Sequence, residues 1–171
     1  MTVLATNYQA ALKVLSDAEV HFVIIGMYAA AVQGSAQMTA DLDIYYERTP
    51  QNLKRLAKAL APYHPVLRGA PKGLPFVLDE TTLSRGMNFT LETDLGDIDL
   101  IGDLSALGQF HEVAADSVCL PLFGGSYRVA SLDAVIRSKR AAGRPKDLNS
   151  LPELEALRDL NNLRAKVKKK L

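Results

Sequence analysis

Apolar positions along the chain change their spacing several times, and each change predicts an element. In "NYQAALKVLSDA" (7–18), Ala11, Leu12, Leu15 and Ala18 recur at helical spacing and form one apolar face. "VHFVIIG" (20–26) is an unbroken apolar and β-branched run, the pattern of a buried strand. The alanine-rich "MYAAAVQGS" (27–35) predicts a helix ending near Gly34, and "DLDIYYE" (41–47) predicts the next strand. Thr49 as cap and Pro50 at the first position open an amphipathic helix over 49–63. "HPVLRGAPKGLP" (64–75) is rich in turn formers and predicts a loop. "GMNFTLETDLGDIDLIGD" (86–103) reads as two strands around a turn at Asp94–Gly96, and 105–116 as a helix. "VCLPLFGGSYRVA" (118–130) predicts a hairpin turning at Gly124 and Gly125. Ser131 caps a helix that stops at Gly143, and Ser150 with Glu153 has the capping-box pattern for a last helix.

Helices interleaved with strands come first, then hairpins, then helices. That order predicts an α/β (α+β) fold, a mixed and largely antiparallel sheet flanked by helices with a C-terminal helical segment. Strands stop near Ala130, which divides the chain into a core over 1–130 and a helical segment over 131–171 packed on it, a single domain overall. No internal repeat and no low-complexity stretch interrupts this order.

Composition narrows the picture only slightly. The 171 residues are 48% hydrophobic and 23% charged, as expected for a globular chain with a core. A net charge of +1 gives no bulk case for coating a nucleic acid or a membrane. Lys166, Lys168, Lys169 and Lys170 form the strongest charge run, read as a solvated tail. Cys119 is the single cysteine, which excludes an internal disulfide; between Val118 and Leu120 it reads as a buried strand thiol. No apolar block approaches the ~20 residues a membrane span needs, and a cytoplasmic location is expected. His21, His64 and His111 lack zinc-site spacing.

The candidate chemistry lies in acids. Asp41 and Asp43 stand two apart at the head of a strand, so both face one side while Leu42 and Ile44 face the core. Alone, such a pair usually marks an exposed strand end. Two carboxylates ~5 Å apart in a partly dry site repel by ~3 kcal/mol at an effective dielectric near 20. A divalent cation such as Mg²⁺ cancels that repulsion. "LGDIDLI" repeats the arrangement with Asp97 and Asp99, so three or four carboxylates converge if the two strands are neighbours.

Upstream, "VIIGMYAAAVQGS" sets Gly26 between a buried strand and an immediate helix, where a sharp turn would expose backbone N–H groups. It is neither a dinucleotide fingerprint nor a P-loop. A strand ending in glycine, a short helix, and then Asp41-Leu42-Asp43-Ile44 resemble the nucleotidyltransferase superfamily that includes DNA polymerase β. "TDLGDIDLI" looks like that family's third-acid strand and selects Asp99. "SLDAVIRSKRAAGRPKDLNSLPELE" is similar to a segment of the small prokaryotic members, AbiEii-type toxins among them.

The resemblance spans about residues 7–157 and implies a nucleotidyltransferase-like fold. It also implies transfer of a nucleoside monophosphate from an NTP to a hydroxyl, on a protein side chain or an RNA 3′ end, with release of pyrophosphate. Asp41, Asp43 and Asp99 would be the catalytic and metal-holding acids, with Mg²⁺ or Mn²⁺ as cofactor. Gly26 and Met27 would hold phosphates through their backbone, and Lys139, Arg144 and Lys146 would neutralise the triphosphate or acceptor. A toxin–antitoxin setting would add a cognate toxin or antitoxin as partner, with no membrane involved. Met27 stands where the family has Gly or Ser, and Gln37 where arginine is frequent; both weaken phosphate binding and motivate a second reading, a non-catalytic interaction or antitoxin module. A D-x-D glycosyltransferase is a third, disfavoured because little chain precedes the acids. Tyr45 shares the acids' face by parity, and Lys72 and Arg85 are loop cations that could reach a phosphate.

Overall fold

The structure, a computed structural model, describes residues 6–169. Lys170, the end of the C-terminal lysine run, and the first five residues lie outside the described residues. Helix α1 (Tyr8–Asp17) buries Ala11, Leu12 and Leu15, the face its spacing predicts, and Asn7 caps it by accepting from the Ala10 N–H. Strand β1 (Phe22–Ile24) is shorter than its apolar run because Gly26, at φ +66°, turns the chain straight into α2 (Gly26–Ala31). Strand β2 (Asp41–Tyr46) follows, then α3 (Pro50–Leu60), which Thr49 caps as expected, and a 3-10 turn at Ala61–Tyr63.

The stretch read as a loop holds strand β3 (Val66–Leu67), too short to show any period. Helix α4 (Glu80–Arg85), capped by Asp79, was also not legible beforehand. Strands β4 (Asn88–Thr93) and β5 (Gly96–Ile101) are the expected pair. Helix α5 (Phe110–Asp116) begins later than its pattern suggested, closed by a reciprocal box between Gln109 and Glu112. Strands β6 (Val118–Leu122) and β7 (Gly125–Val129) make the predicted hairpin. Helix α6 (Leu132–Ala142) runs from the Ser131 cap to Gly143, which sits left-handed at φ +63°.

The last helix corrects one expectation. Helix α7 (Pro145–Lys168) opens at Arg144 and Pro145 rather than at Ser150. Ser150 lies inside it, donating to the Asp147 carbonyl, and Pro152 sits within the same helix. Glu153 caps nothing locally; it reaches across to residues 35–37. Tertiary contacts thus take both halves of a local capping pattern. Cys119 is a second correction: it is exposed, because β6 is a sheet-edge strand whose outward positions face solvent.

One seven-stranded sheet takes the order β3-β4-β5-β2-β1-β7-β6. Only β2–β5 and β1–β7 pair in parallel; the other neighbours are antiparallel, giving the mixed, mostly antiparallel sheet the element order predicts. Leu42, Ile44, Ile98 and Leu100 are fully buried and anchor the central pair in the core. Helix α2 packs on β2 and α6, and α6 on α7, so the last helices meet the sheet near the head of β2. No described helix is long and apolar enough to cross a membrane.

Candidate active site

Parallel pairing of β2 with β5 sets Asp41 opposite Asp97 and Asp43 opposite Asp99. The inward alternation of Leu42, Ile44, Ile98 and Leu100 therefore drives all four acids onto one face. One carboxylate oxygen from each of Asp41, Asp43 and Asp99 lies within 4.8 Å of the others. The sequence expectation that separate strands bring these three together is met.

Gly26 lies against this cluster. A Cβ there would stand 2.1 Å from Asp43 Oδ2, so a side chain at 26 would occupy the carboxylate's own place. The left-handed backbone and the close approach thus demand glycine for independent reasons. Just before the turn, the Ile25 N–H donates to the Asp43 carbonyl at 3.0 Å, which locks turn and acid strand together. Thr39 Oγ1 donates to Asp41 Oδ1 at 2.5 Å, and Tyr8 donates to the Thr39 carbonyl at 2.8 Å while stacking on Tyr28 with centroids 4.1 Å apart.

Electrostatics makes the cluster costly as it stands. Burial, then repulsion from Asp41 and Asp99, pushes the Asp43 carboxyl up to about 7, against the opposing pull of Arg68 and Lys139. Asp99 is also raised, by burial first, with Arg68 opposing. Arg68 donates from Nη1 to Asp97 Oδ2 at 2.9 Å and from Nη2 to Asp99 Oδ1, and lies 3.9 Å from Asp41. One guanidinium thus serves three of the four carboxylates, and Asp43 is not among them.

A cavity of about 320 Å³ opens beside the acids. Gly26, Met27, Asp41, Asp43 and Asp99 line one side; Lys139, Arg144 and Lys146 line the other. All eight residues selected from the sequence therefore border one space, with Gln37 at its rim. The basic side is partly neutralised already. Asp147, 2% exposed, accepts from Lys139 Nζ at 3.2 Å and from Arg144 Nε at 2.5 Å. Burial alone would raise the Asp147 carboxyl; the bonds from Arg144 and Lys139 overcome it and hold the group below its ordinary value. Lys146 is exposed.

Sequence reasoning missed three residues here: Arg68, Asp147 and Glu153. An excess of acids on one face calls for a counter-cation, and that signal was available. The loop cations singled out instead, Lys72 and Arg85, as able to reach a phosphate, are both exposed and do not line the cavity. Glu153 receives Ser35 Oγ at 3.0 Å, the Ala36 N–H at 3.1 Å and Gln37 Nε2 at 2.9 Å, so it ties the segment before β2 to α7. Gln37 is thereby a structural partner of Glu153. Tyr45 fills space, 4% exposed, donating to the Gly108 carbonyl and meeting Phe110 edge-on.

The donor set fits a hard divalent cation: three close carboxylates, one of them driven toward its neutral form by burial and then by its two neighbours, with hydrogen-bonded support from Thr39.

No protein-family model matches the chain, and no curated protein matches it. Among solved structures it is similar to the solution structure of the antibiotic-resistance factor ANT(2'')-Ia, at 14% identity and a TM-score of 0.50, covering 93% of this chain and 91% of that one. It is similar also to the crystal structure of ANT(2'')-Ia in complex with adenylyl-2''-tobramycin, at 14% identity and a TM-score of 0.51, covering 90% and 94%. At this identity the likeness is one of fold, the mixed α/β fold that ANT(2'')-Ia also has.

Proposed function

We propose that the chain is a metal-dependent nucleotidyltransferase that moves a nucleoside monophosphate from an NTP to a hydroxyl. The observation that carries this reading is the meeting of Asp41, Asp43 and Asp99 beside the Gly26 turn, on the wall of a cavity whose other wall is basic. Asp41, Asp43 and Asp99 would hold Mg²⁺ or Mn²⁺, which when bound supplies charge neutralisation for the attacking and leaving oxygens. Backbone N–H groups of Gly26 and Met27, which line the cavity, would hold the triphosphate together with Lys139, Arg144 and Lys146, which line it too. The acceptor oxygen attacks the α-phosphorus and its proton passes to an Asp99 oxygen. The bond from the α-phosphorus to the bridging oxygen breaks, and pyrophosphate leaves.

The acceptor supplies an alcohol. The ANT(2'')-Ia structure holds an adenylylated tobramycin, and a small alcohol of that kind is the acceptor this reading takes first. A protein hydroxyl or an RNA 3′ end, within a toxin–antitoxin pair, is the other form of this reading; the fold likeness lends no support to the AbiEii-type grouping in particular. The core through residue 130 and the helical segment from 131 act as one unit here, since the acids come from one and the cations from the other. NTP as donor suits a cytoplasmic protein.

The test is release of pyrophosphate from each NTP in the presence of Mg²⁺ and candidate alcohols, with D43N and D99N as controls. Release that both variants abolish supports the reading; release that persists in both overturns it.

One observation favours a non-catalytic module: Arg68 already provides a cation to Asp97 and Asp99. Thermal shifts with each NTP, with and without Mg²⁺, separate the two. A shift that needs both ligands favours the enzyme, and its absence for all four NTPs favours the module.

A further inference from the structure

Strand pairing draws a single row across the sheet. Asp43 is opposite Asp99, and Asp99 is opposite Thr90. Leu67 pairs with Leu91, and the Arg68 N–H donates to the Thr90 carbonyl at 2.9 Å, so Arg68 ends the same row two strands from Asp99. The intervening side chain is the small Thr90, over which a guanidinium can reach the ~10 Å of two strand spacings. Arg68 therefore enters from the β3 edge, whereas the cavity lies toward α6 and is lined by neither Arg68 nor Asp97.

From this geometry we infer that Arg68 is a latch on the ion centre: a resident cation that occupies Asp99 until a divalent ion enters, then withdraws to Asp97. The inference rests on the metal-centre reading above. Three features argue for it. The guanidinium keeps its charge at any working pH, so it cannot yield to an ion by deprotonating and must move instead. Its two arms already divide between Asp99, which belongs to the three-acid set, and Asp97, which does not. Arg68 also follows a two-residue edge strand and precedes an exposed segment, so a short swing disturbs little of the sheet. Asp97 is then the positioning residue that parks the arginine, which explains a fourth carboxylate in a site that needs three.

The test is Mn²⁺ affinity of the whole chain, measured by calorimetry and by the paramagnetic signal of free Mn²⁺, without any NTP. R68Q should bind Mn²⁺ about tenfold more tightly than wild type, and R68K should fall between them. D97N should bind about threefold more weakly, because Arg68 then has no alternative to Asp99. In the R68Q background the D97N change should have under a twofold effect. That coupling separates a latch from a mere change of net charge, under which the two substitutions would act independently. Thermal melting in chelator confirms that each variant is folded. An R68Q affinity equal to or weaker than wild type, or independent effects of R68Q and D97N, overturns the latch while leaving the metal centre standing. Absence of Mn²⁺ binding in every variant, with D99N indistinguishable from wild type, overturns the metal centre and the latch together.

Discussion

The two walls of the cavity handle charge in opposite ways. On the sheet wall, three of four carboxylates on two strands share one guanidinium, and Asp43 is left without it. On the helix wall, Lys139 and Arg144 are matched by Asp147, which is buried and held ionised. On the helix wall the buried acid has its partners and an excess of positive charge remains; the sheet wall is short of positive charge. Structural networks tend toward compensation, because an uncompensated buried charge costs several kcal/mol. A deficit kept on the stiffest part of the fold is the mark of a place that completes itself with a ligand.

The sharpest way to break this comparison is to remove one carboxylate from each wall. D43N takes away an acid that nothing pairs directly. On the proposed reading, transfer should fall by about a thousandfold or more, roughly 4 kcal/mol of transition-state stabilisation. The metal-free protein should melt no lower than wild type, and higher where repulsion is relieved, as calorimetry in chelator can show. A large loss of stability would instead make the acids structural.

The same asymmetry has a pH signature of nearly the same size. Because Asp43 titrates at about 7 in the folded chain, against an ordinary aspartate value near 4, the folded state holds that proton more tightly throughout the interval. Metal-free stability should therefore decline as pH rises from about 4 to about 7, by on the order of 4 kcal/mol, and stay low above it. Melting curves in chelator across that range should show the decline, and saturating Mg²⁺ or the D43N change should flatten it. Asp147 works with the opposite sign. Its carboxyl is lowered, so its contribution is complete above the ordinary aspartate range and disappears only as pH falls through the folded value.

On the helix wall, D147A should leave Lys139, 14% exposed along its side chain, facing a hole, and release Arg144 at the start of α7. Removing one partner of such a buried network costs about 3 kcal/mol. Chemical denaturation should show this loss at neutral pH, with or without Mg²⁺. An effect that vanished on adding metal would mean that the two walls are not independent.

The contrast between the walls also explains what could be read beforehand. Strand parity is set by covalent geometry, so the D-x-D patterns alone placed Asp41, Asp43, Asp97 and Asp99 on common faces. Register between β2 and β5 then followed from burial of the intervening Leu and Ile residues. Arg68 was invisible because Val66–Leu67 is too short to display alternation and stands in a Gly- and Pro-rich stretch. Ser150 and Glu153 matched a helix start, yet Pro145 was already a sufficient first residue and Glu153 gains more by holding residues 35–37. Asp147 was unreadable for a related reason. Nothing local in "RPKDLN" says that the turn between α6 and α7 will fold Lys139 and Arg144 back onto that carboxylate.

The smallest effect falls on Lys146, the cation of the helix wall that Asp147 does not engage. It is exposed, lines the cavity and makes no ion pair among the described residues. K146A should leave the melting temperature within error, since no partner loses its bond. If the basic wall receives the triphosphate, KM for the NTP should rise about three- to tenfold with kcat nearly unchanged, because a flexible, solvated ammonium binds ground state and transition state alike. The rise should shrink as ionic strength grows, since salt screens an exposed cation far more than a buried one. A drop in kcat at constant KM would place Lys146 at the leaving pyrophosphate instead. No change in either would leave phosphate contact to Lys139 and Arg144, and would mean that two cations sharing the Asp147 carboxylate can still attract an anion.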